Sequence, residues 1–196
     1  HPSVFLWSVG NEVGEQNTGE EGAAVARRLV EVAHEEDPTR RATASMNTAK
    51  PDWPFAASVD VITYEFENVP TSALDLLESL KPIRPNRRAL AISQDRIPEK
   101  TFLNDLGLAT APWVPVNSEA DLVAAVAALG LPAILKTTRL GYDGKGQAKL
   151  TQPSDIPAAW AAMNGAPSIL EGFIAFDREV SVIAARGLDG SVAAYD

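Results

Sequence analysis

The sequence predicts an α/β protein whose second half has α+β character. An apolar run at 3–9, an amphipathic segment at 20–36 and a strand-like run at 41–45 follow one another in the order strand, helix, strand, which is typical of a parallel sheet. The second half alternates short helical patterns with short strand-like runs around the glycine-rich segment LKTTRLGYDGKGQ, residues 135–147. At 196 residues the chain has room for one or two domains.

In the first half, the predicted elements follow from capping and periodicity. Acidic residues open the helix at 20–36 and Pro38 follows its end, which are normal start and stop signals. The predicted strands are 3–9, 41–45 and 59–64, with a loop at 48–55.

In the second half, helices are predicted at 71–80, 87–93, 99–106, 119–129 and 154–163. Ser118 is the predicted N-cap of the fourth helix, and Gly107 and Gly130 follow the ends of the third and fourth. Two prolines keep 111–115 extended. Strands are predicted at 133–137, 147–150, 168–171, 179–185 and 191–195.

Composition excludes several classes of function. The chain has 17 basic and 26 acidic residues, and its net charge of −9 argues against a nucleic-acid partner. No apolar run approaches the roughly 18 residues of a membrane helix, so no membrane partner is expected. With no cysteine there is neither a disulfide nor a thiolate-zinc site, and we expect a cytoplasmic protein. The start at His1 and the stop at Asp196, directly after a strand-like run, both indicate cuts.

The glycine-rich segment predicts a phosphate-binding loop. Lys136 ends a strand-like run and Gly141, Gly144 and Gly146 follow it. Glycine lets backbone N–H groups approach phosphate oxygens, and the lysine supplies a positive charge. The alternative is a simple hairpin turn at 142–144.

A second segment predicts an adenine site. Glu171, Phe173 and Ile174 lie about one helix and one strand beyond Lys136, at a strand end that passes into a connector. Backbone groups there can pair with the edge of adenine while apolar side chains cover its face. Glu179 follows and could accept hydrogen bonds from ribose hydroxyls.

Residues 63–196 resemble the N5-carboxyaminoimidazole ribonucleotide synthase family of ATP-grasp enzymes. The resemblance rests on five blocks in order, TYEFENVP, SQDRIPEKTFLNDLGLATAP, LKTTRLGYDGKGQ, ILEGF and REVSVIAARG. It implies a partial ATP-grasp fold, ATP as the cofactor, and bicarbonate and aminoimidazole ribonucleotide as substrates in purine biosynthesis. The family carboxylates the exocyclic amine of aminoimidazole ribonucleotide through carboxyphosphate, and its full-length members are expected to be homodimers.

The resemblance also assigns roles to residues. Arg96 and Lys136, with Gly141, Gly144, Gly146 and Gln147 of the loop, are expected on the ATP phosphates. Glu171, Phe173 and Ile174 are expected on adenine, and Glu179 on the ribose. Tyr142, Asp143 and Lys145 are expected at the aminoimidazole substrate and the reacting phosphate. Without the resemblance, Arg96 would be a surface charge and Tyr142 a turn aromatic.

The same resemblance implies that two parts of the family's structure are missing from this chain. The family's first strand and glycine-rich turn are absent upstream of Thr63, and the acids that hold Mg²⁺ lie beyond Asp196. No residue of this chain is therefore predicted to bind metal, and we expect the chain as given not to turn over.

Residues upstream of position 59 resemble the catalytic barrel of glycoside hydrolase family 2. The blocks are HPSVFLWSVGNEVGEQ, GEEGAAVARRLVEVAHEEDPTR and SMNTAKPD. The resemblance makes Glu12 the general acid/base, with Asn11 beside it, at the C-terminal end of a barrel strand. Retaining hydrolysis needs a second carboxylate about 5 Å away, which that family takes from a later strand that is absent here. The alternative is a helix-start carboxylate in solvent.

Together the two resemblances predict a hybrid chain. Residues 1–59 would be a fragment of a (β/α)₈ barrel, 60–110 the end of the preATP-grasp domain, and 111–196 the ATP-grasp lid with the start of the next subdomain. We expect no unified core, because two of eight βα units leave strand edges unpaired. The alternative is that 3–9 and 20–36 replace the synthase's own first βα units. Three function classes follow: an ATP-grasp ligase fragment, a β-galactosidase-like fragment, and a non-catalytic hybrid.

Overall fold

The first packed unit is built on a strand–helix–strand motif. The computed structural model describes residues 6–45, 54–64, 68–141 and 145–194. Strand β1 (Leu6–Asn11) pairs in parallel with β2 (Arg41–Ser45), and helix α1 (Glu20–Glu36) connects them. Parallel neighbours need such a crossover. The predicted order strand, helix, strand is confirmed, and α1 has the predicted bounds. Strand β1 ends two residues after the predicted strand 3–9, whose residues 3–5 lie outside the described part of the chain.

The segment at 59–62 lies beside β2 and joins it to the following residues. The amide of Asp60 donates to the carbonyl of Ala42 over 3.0 Å, and its carboxylate accepts from the amide of Ala42 over 2.7 Å. On the other side, the amide of Ile62 donates to the carbonyl of Pro82 and its carbonyl accepts from the amide of Arg84. These hydrogen bonds make an isolated parallel bridge between Ile62 and Ile83. The predicted strand at 59–64 is therefore wrong in extent, since pairing is limited to one bridge.

One hydrophobic core crosses position 59. Ala26, Ala44 and Phe55 precede that position, and Leu74 and Leu90 follow it in the same cluster. The expectation that the two parts would share no core is wrong, because apolar side chains from both parts are buried against each other. A (β/α)₈ barrel is not shown, since β1 pairs only with β2 among the described strands.

Three helices lead to the second unit. They are α2 (Thr71–Leu80), α3 (Arg87–Ser93) and α4 (Arg96–Asp105). The bounds of α2 and α3 are as predicted, but α4 begins three residues before the predicted start. Asp95 is its N-cap and accepts a hydrogen bond from the amide of Ile97 over 3.0 Å, which satisfies a donor of the first turn.

The second unit is an antiparallel sheet covered by two helices. Its strands are β3 (Trp113–Val116), β4 (Ala133–Thr137), β5 (Gln147–Leu150) and β6 (Ser168–Gly172), in the order β3-β6-β4-β5. Helices α5 (Glu119–Leu129) and α6 (Ile156–Ala162) pack on one face around a core that includes Leu122, Leu135 and Leu170. The predicted bounds of β4, β5 and α5 are confirmed, and β6 ends one residue later than predicted. Strand β3 overlaps the segment predicted only as extended, 111–115, and a 3₁₀ turn at Pro153–Asp155 takes the start of the predicted 154–163 helix.

The opposite face of this sheet carries charged and polar side chains beside Ile134 and Ile169. Side chains alternate along a strand, so the fully buried Ala133 and Leu135 point to the helices while Ile134 and Lys136 point away from them. Cross-strand pairs place Gln147 opposite Lys136, and both Lys149 and Glu171 opposite Ile134. Lysines and a glutamate therefore share the face that α5 and α6 leave uncovered.

The C-terminal segment ends in a small exposed hairpin. Strands β7 (Ala184–Arg186) and β8 (Val192–Ala194) pair only with each other among the described strands. The strand predicted at 179–185 is wrong over 179–183, because a run of β-branched residues without a neighbouring strand has no ladder to join. Within the described residues, no helix is long and apolar enough to cross a membrane.

Candidate functional site

Lys136 lies on the polar face of the sheet, at the strand end that leads into the glycine-rich loop. Its ammonium Nζ donates to Oε2 of Glu171 over 2.9 Å, and its side chain is 24% exposed. The two residues are on neighbouring strands β4 and β6. The structure thus brings together the predicted phosphate lysine and the predicted adenine-site glutamate, 35 positions apart.

Glu171 also forms an ion pair with a second lysine, which sequence reasoning did not select. Nζ of Lys100, on α4, lies 3.3 Å from Oε1 of Glu171, so each carboxylate oxygen has its own ammonium partner. The Glu171 side chain is only 9% exposed and that of Lys100 only 14%. A carboxylate buried to this degree needs compensating charge, and here it has two cations for one anion. The cluster therefore has a net positive charge.

Arg96 joins the start of α4 to the start of the loop. Its Nη1 donates to the carbonyl of Thr137 over 2.9 Å and its Nη2 to the carbonyl of Gly141 over 3.3 Å. The backbone amide of Arg96 also donates to the carbonyl of Thr138 over 2.9 Å. Arg96 is thus not the isolated surface charge of the alternative interpretation, because its guanidinium is bound where the loop leaves β4.

The structure favours glycine at positions 141 and 146 of the loop for two different reasons. A Cβ at Gly141 would lie 3.2 Å from Nη2 of Arg96, so the close approach of that guanidinium favours glycine. Gly146 has φ +66°, and a Cβ there would lie 2.7 Å from Oγ1 of Thr137. The predicted residues Tyr142, Asp143 and Gly144 lie outside the described residues. Lys145 follows them, and its carbonyl is 3.2 Å from the same position at Gly141.

The predicted adenine segment directly follows β6. Phe173 is 40% exposed, and its ring is covered by Nζ of Lys149 at 4.1 Å from the ring centroid, a cation–π contact. Ile174 is 51% exposed, and Glu179 is also exposed. The structure brings Phe173 to the polar face through Lys149. It gives no contact that joins Ile174 or Glu179 to Lys136 in the described part of the chain.

A polar cleft of about 110 Å³ adjoins Arg96, between the first unit and the loop. Gln94 on its wall accepts a hydrogen bond from Nη2 of Arg139 over 2.9 Å. The remaining lining residues are Asn68, Ser93, Glu99, Thr138, Leu140 and Gly141. The cleft therefore opens beside Arg96, and its walls are mostly polar.

Glu12 lies apart from this cluster, just after β1 in the first unit. It is exposed and has φ +52°, and its backbone amide donates to the carbonyl of Ser45 over 2.9 Å. This is the solvent-exposed carboxylate of the alternative interpretation. The glycosidase role of Glu12 gains no support from its surroundings.

The residues that sequence reasoning missed are cations held by tertiary contacts. Lys100 is one helical turn after Arg96, and this i, i+4 spacing would have placed both on one face of α4. Lys149 is two residues after Gln147 on β5, so strand alternation would have placed it on the polar face. Neither spacing indicates the partner, because Glu171 lies on β6 and Phe173 directly follows that strand.

Two family models match consecutive parts of the chain. Residues 101–196 match the model of the ATP-grasp domain, and residues 32–94 match that of the ribonucleotide synthetase preATP-grasp domain. The second match runs through position 59, so the proposed boundary between a hydrolase part and a synthase part is not supported.

Similar curated proteins include N5-carboxyaminoimidazole ribonucleotide synthases. That of Brucella melitensis is 54% identical over 159 residues, which are 80% of this chain and 44% of the relative. The chain thus spans less than half the length of this curated relative.

Solved structures agree with these matches. The N5-carboxyaminoimidazole ribonucleotide synthetase of Thermus thermophilus is 33% identical, with a TM-score of 0.70 over 98% of this chain and 53% of that one. The Aspergillus clavatus synthase complexed with ATP is 26% identical, with a TM-score of 0.72 over 97% of this chain and 53% of that one. Because nearly the whole chain superposes, β1 and α1 fit the synthase architecture. Together these comparisons support a fragment of an N5-carboxyaminoimidazole ribonucleotide synthase.

Proposed function

We propose that this chain is the nucleotide-binding part of an ATP-grasp ligase that carboxylates aminoimidazole ribonucleotide with ATP and bicarbonate. The observation that carries the proposal is the position of Lys136, whose ammonium lies on the sheet face opposite α5 and α6, beside a glycine-rich loop and 2.9 Å from Glu171. The relatives described above are named N5-carboxyaminoimidazole ribonucleotide synthases, and one structural neighbour was solved as a complex with ATP. From the family resemblance we also propose that the full-length protein is a homodimer in the cytoplasm.

The residues present fit a triphosphate. Lys136 and Lys100 carry two positive charges beside the single negative charge of Glu171, and Arg96 adds a planar donor at the base of the loop. Phosphate oxygens need such charge-assisted donors together with backbone amides, which Gly141 and Gly146 allow to approach. In this proposal Lys136 and Arg96 contact the phosphates while Gly144 and Gln147 complete the loop.

The rest of the site is assigned by the family resemblance. The base is held by the Glu171 segment with Phe173 and Ile174, and the ribose by Glu179. Tyr142, Asp143 and Lys145 orient aminoimidazole ribonucleotide, so that its amine attacks the carboxyl carbon of carboxyphosphate. That attack forms the C–N bond of the product and releases inorganic phosphate, after ATP has transferred its γ-phosphoryl group to bicarbonate.

Magnesium is not assigned to any residue here. Among residues 6–45, 54–64, 68–141 and 145–194, no group of three or more histidine, cysteine or acidic side chains could hold a metal ion.

The test is ATP binding by the purified chain, measured by isothermal titration calorimetry. Lys136→Ala is expected to weaken ATP binding at least about tenfold, because a charge-assisted contact is worth about 1.5–3 kcal/mol. Lys81→Ala is the matched control, since Lys81 follows α2 in the first unit. Equal ATP affinity of the Lys136 variant and the unmutated chain would contradict the proposal, as would no ATP binding by the unmutated chain.

A further inference from the structure

We infer that Lys100 is a positioning residue that releases Lys136 for the nucleotide phosphates by holding the charge of Glu171. This inference rests on the proposed function and adds a residue to its site. The observation behind it is that one buried carboxylate is shared by two ammonium groups from different elements, α4 and β4.

The geometry separates the two ion pairs. Lys136 bonds to Oε2 of Glu171 at 2.9 Å and Lys100 lies 3.3 Å from Oε1. Because the two lysines use different oxygens, Lys136 can turn toward a ligand without displacing Lys100. The carboxylate then keeps one ammonium partner throughout.

Burial makes this arrangement necessary. The Glu171 side chain is 9% exposed, so water does not replace a lost partner there. Removing one partner of a buried pair costs far more than breaking an exposed pair, because the remaining charge is left without compensation. If Lys100 were neutral, phosphate binding by Lys136 would leave Glu171 as an uncompensated buried anion next to further negative charge.

The location of Lys100 fits this role and not a direct phosphate contact. Its side chain is 14% exposed, less than the 24% of Lys136, so it is the more enclosed of the two cations. Arg96, one turn earlier on α4, is bound to the carbonyls of Thr137 and Gly141. Helix α4 therefore provides one cation to the loop and another to the glutamate.

The inference predicts a selective effect on phosphate binding. In Lys100→Met, Lys136 stays on Glu171, so ATP affinity is expected to fall by on the order of tenfold. Adenosine has no phosphates and does not require Lys136 to move, so its affinity is expected to stay the same. Lys100→Arg keeps the charge and is expected to retain most of the ATP affinity.

The experiment titrates ATP and adenosine, with magnesium present throughout, into the unmutated chain, Lys100→Met, Lys100→Arg, Glu171→Gln and Lys100→Met/Glu171→Gln. The measured quantity is the ratio of the adenosine and ATP dissociation constants. The ratio should fall in Lys100→Met. In the Glu171→Gln background the same lysine substitution should leave the ratio unchanged, because no buried carboxylate then needs compensation. If Lys100→Met alone fails to fold, Lys100→Gln replaces it in the same comparison, because it also removes the charge but keeps a polar side chain near Glu171.

The outcomes are distinct. An equal loss of ATP and adenosine affinity in Lys100→Met leaves the ratio unchanged; it would show a purely structural role and overturn the inference. The inference would also be overturned if the ratio fell equally with Glu171 present and in the Glu171→Gln variant. These results would leave the proposed function intact. Absence of ATP binding in the unmutated chain would overturn the proposed function and this inference with it.

Discussion

The guanidinium of Arg96 donates a hydrogen bond from Nη1 to the carbonyl oxygen of Thr137 over 2.9 Å. A second bond from Nη2 reaches Gly141 over 3.3 Å. Because Thr137 ends β4 and Gly141 lies in the loop, one side chain fixes the path of the chain between Lys136 and the glycines. The start of α4 and the base of the loop are thereby held together.

Arg96→Lys is expected to weaken ATP binding about tenfold while leaving the fold intact. Lysine keeps the charge but has no planar fork, so it cannot bond both carbonyls at once. A charge-assisted hydrogen bond is worth about 1.5–3 kcal/mol, which sets the magnitude. Arg88→Lys on α3 is the control and should bind ATP normally, and calorimetry measures both. An Arg96→Lys variant with unmutated ATP affinity would show that the fork is not needed.

Gly146→Ala is expected to destabilise the second unit more than Gly165→Ala. Both glycines have positive φ, +66° and +73°, which costs a residue with a side chain about 1–2 kcal/mol. Only at Gly146 does a Cβ also meet a neighbour, Oγ1 of Thr137 at 2.7 Å; nothing lies within 4 Å at Gly165. Overpacking adds about 1–3 kcal/mol. Urea unfolding of the two variants measures the difference, and equal losses would refute the role of the Thr137 contact.

Sequence reasoning predicted the elements whose signals are local. Helix α1 has an acidic start and a nearby proline after its end, and its bounds were predicted at both ends. The site was predicted only partly, because Lys100 reaches Glu171 through the placement of α4 on the sheet, which no local pattern encodes. The segment at 59–64 has strand composition, yet it pairs at one residue. Asp60 has one backbone hydrogen bond to Ala42, and only Ile62 is hydrogen-bonded to the backbone of 82–84.

The shared core of the first unit predicts cooperative protection of residues on both sides of position 59. Ile83 is 1% exposed and packs in the cluster that contains Ala26 and Phe55. Limited proteolysis should therefore leave 6–45 as resistant as 71–105. Rapid loss of the first 58 residues from an otherwise intact remainder would contradict this.

Ile83→Ala tests the same core by substitution. It is expected to lower the free energy of unfolding by about 2–5 kcal/mol, through lost burial and the cavity left behind. Cleavage in α1 should rise together with cleavage in α2. Val123→Ala, at a side chain of α5 that is 52% exposed, is the control and should have little effect. Faster cleavage confined to α2 would show that α1 is held independently.

The carboxylate of Asp155 predicts a pH dependence of stability. Hydrogen bonds from the backbone amides of Thr151 and Gln152, at 2.8 and 3.1 Å, hold the pKa of Asp155 below its ordinary value of 3.8. A depressed pKa in the folded state means that the ionised form stabilises the fold. This contribution is complete above about pH 5, well over the unfolded pKa. It is lost as pH falls through the folded pKa.

Asp155→Asn is therefore expected to lower the melting temperature at neutral pH and to approach the unmutated chain as pH falls below 3.8. Asp155 precedes α6, whose Ile156 and Ala159 belong to the core of the second unit, so its loss should affect global unfolding. Asp189→Asn is the matched control. The pKa of Asp189 is also lowered, by hydrogen bonds from Ser191, but its hairpin is exposed and packs on no other described strand. Differential scanning calorimetry from pH 2.5 to 7 measures the melting temperatures of both variants. If the melting temperature of Asp155→Asn stays equally far below that of the unmutated chain at low pH, the charge of Asp155 is not what stabilises the fold.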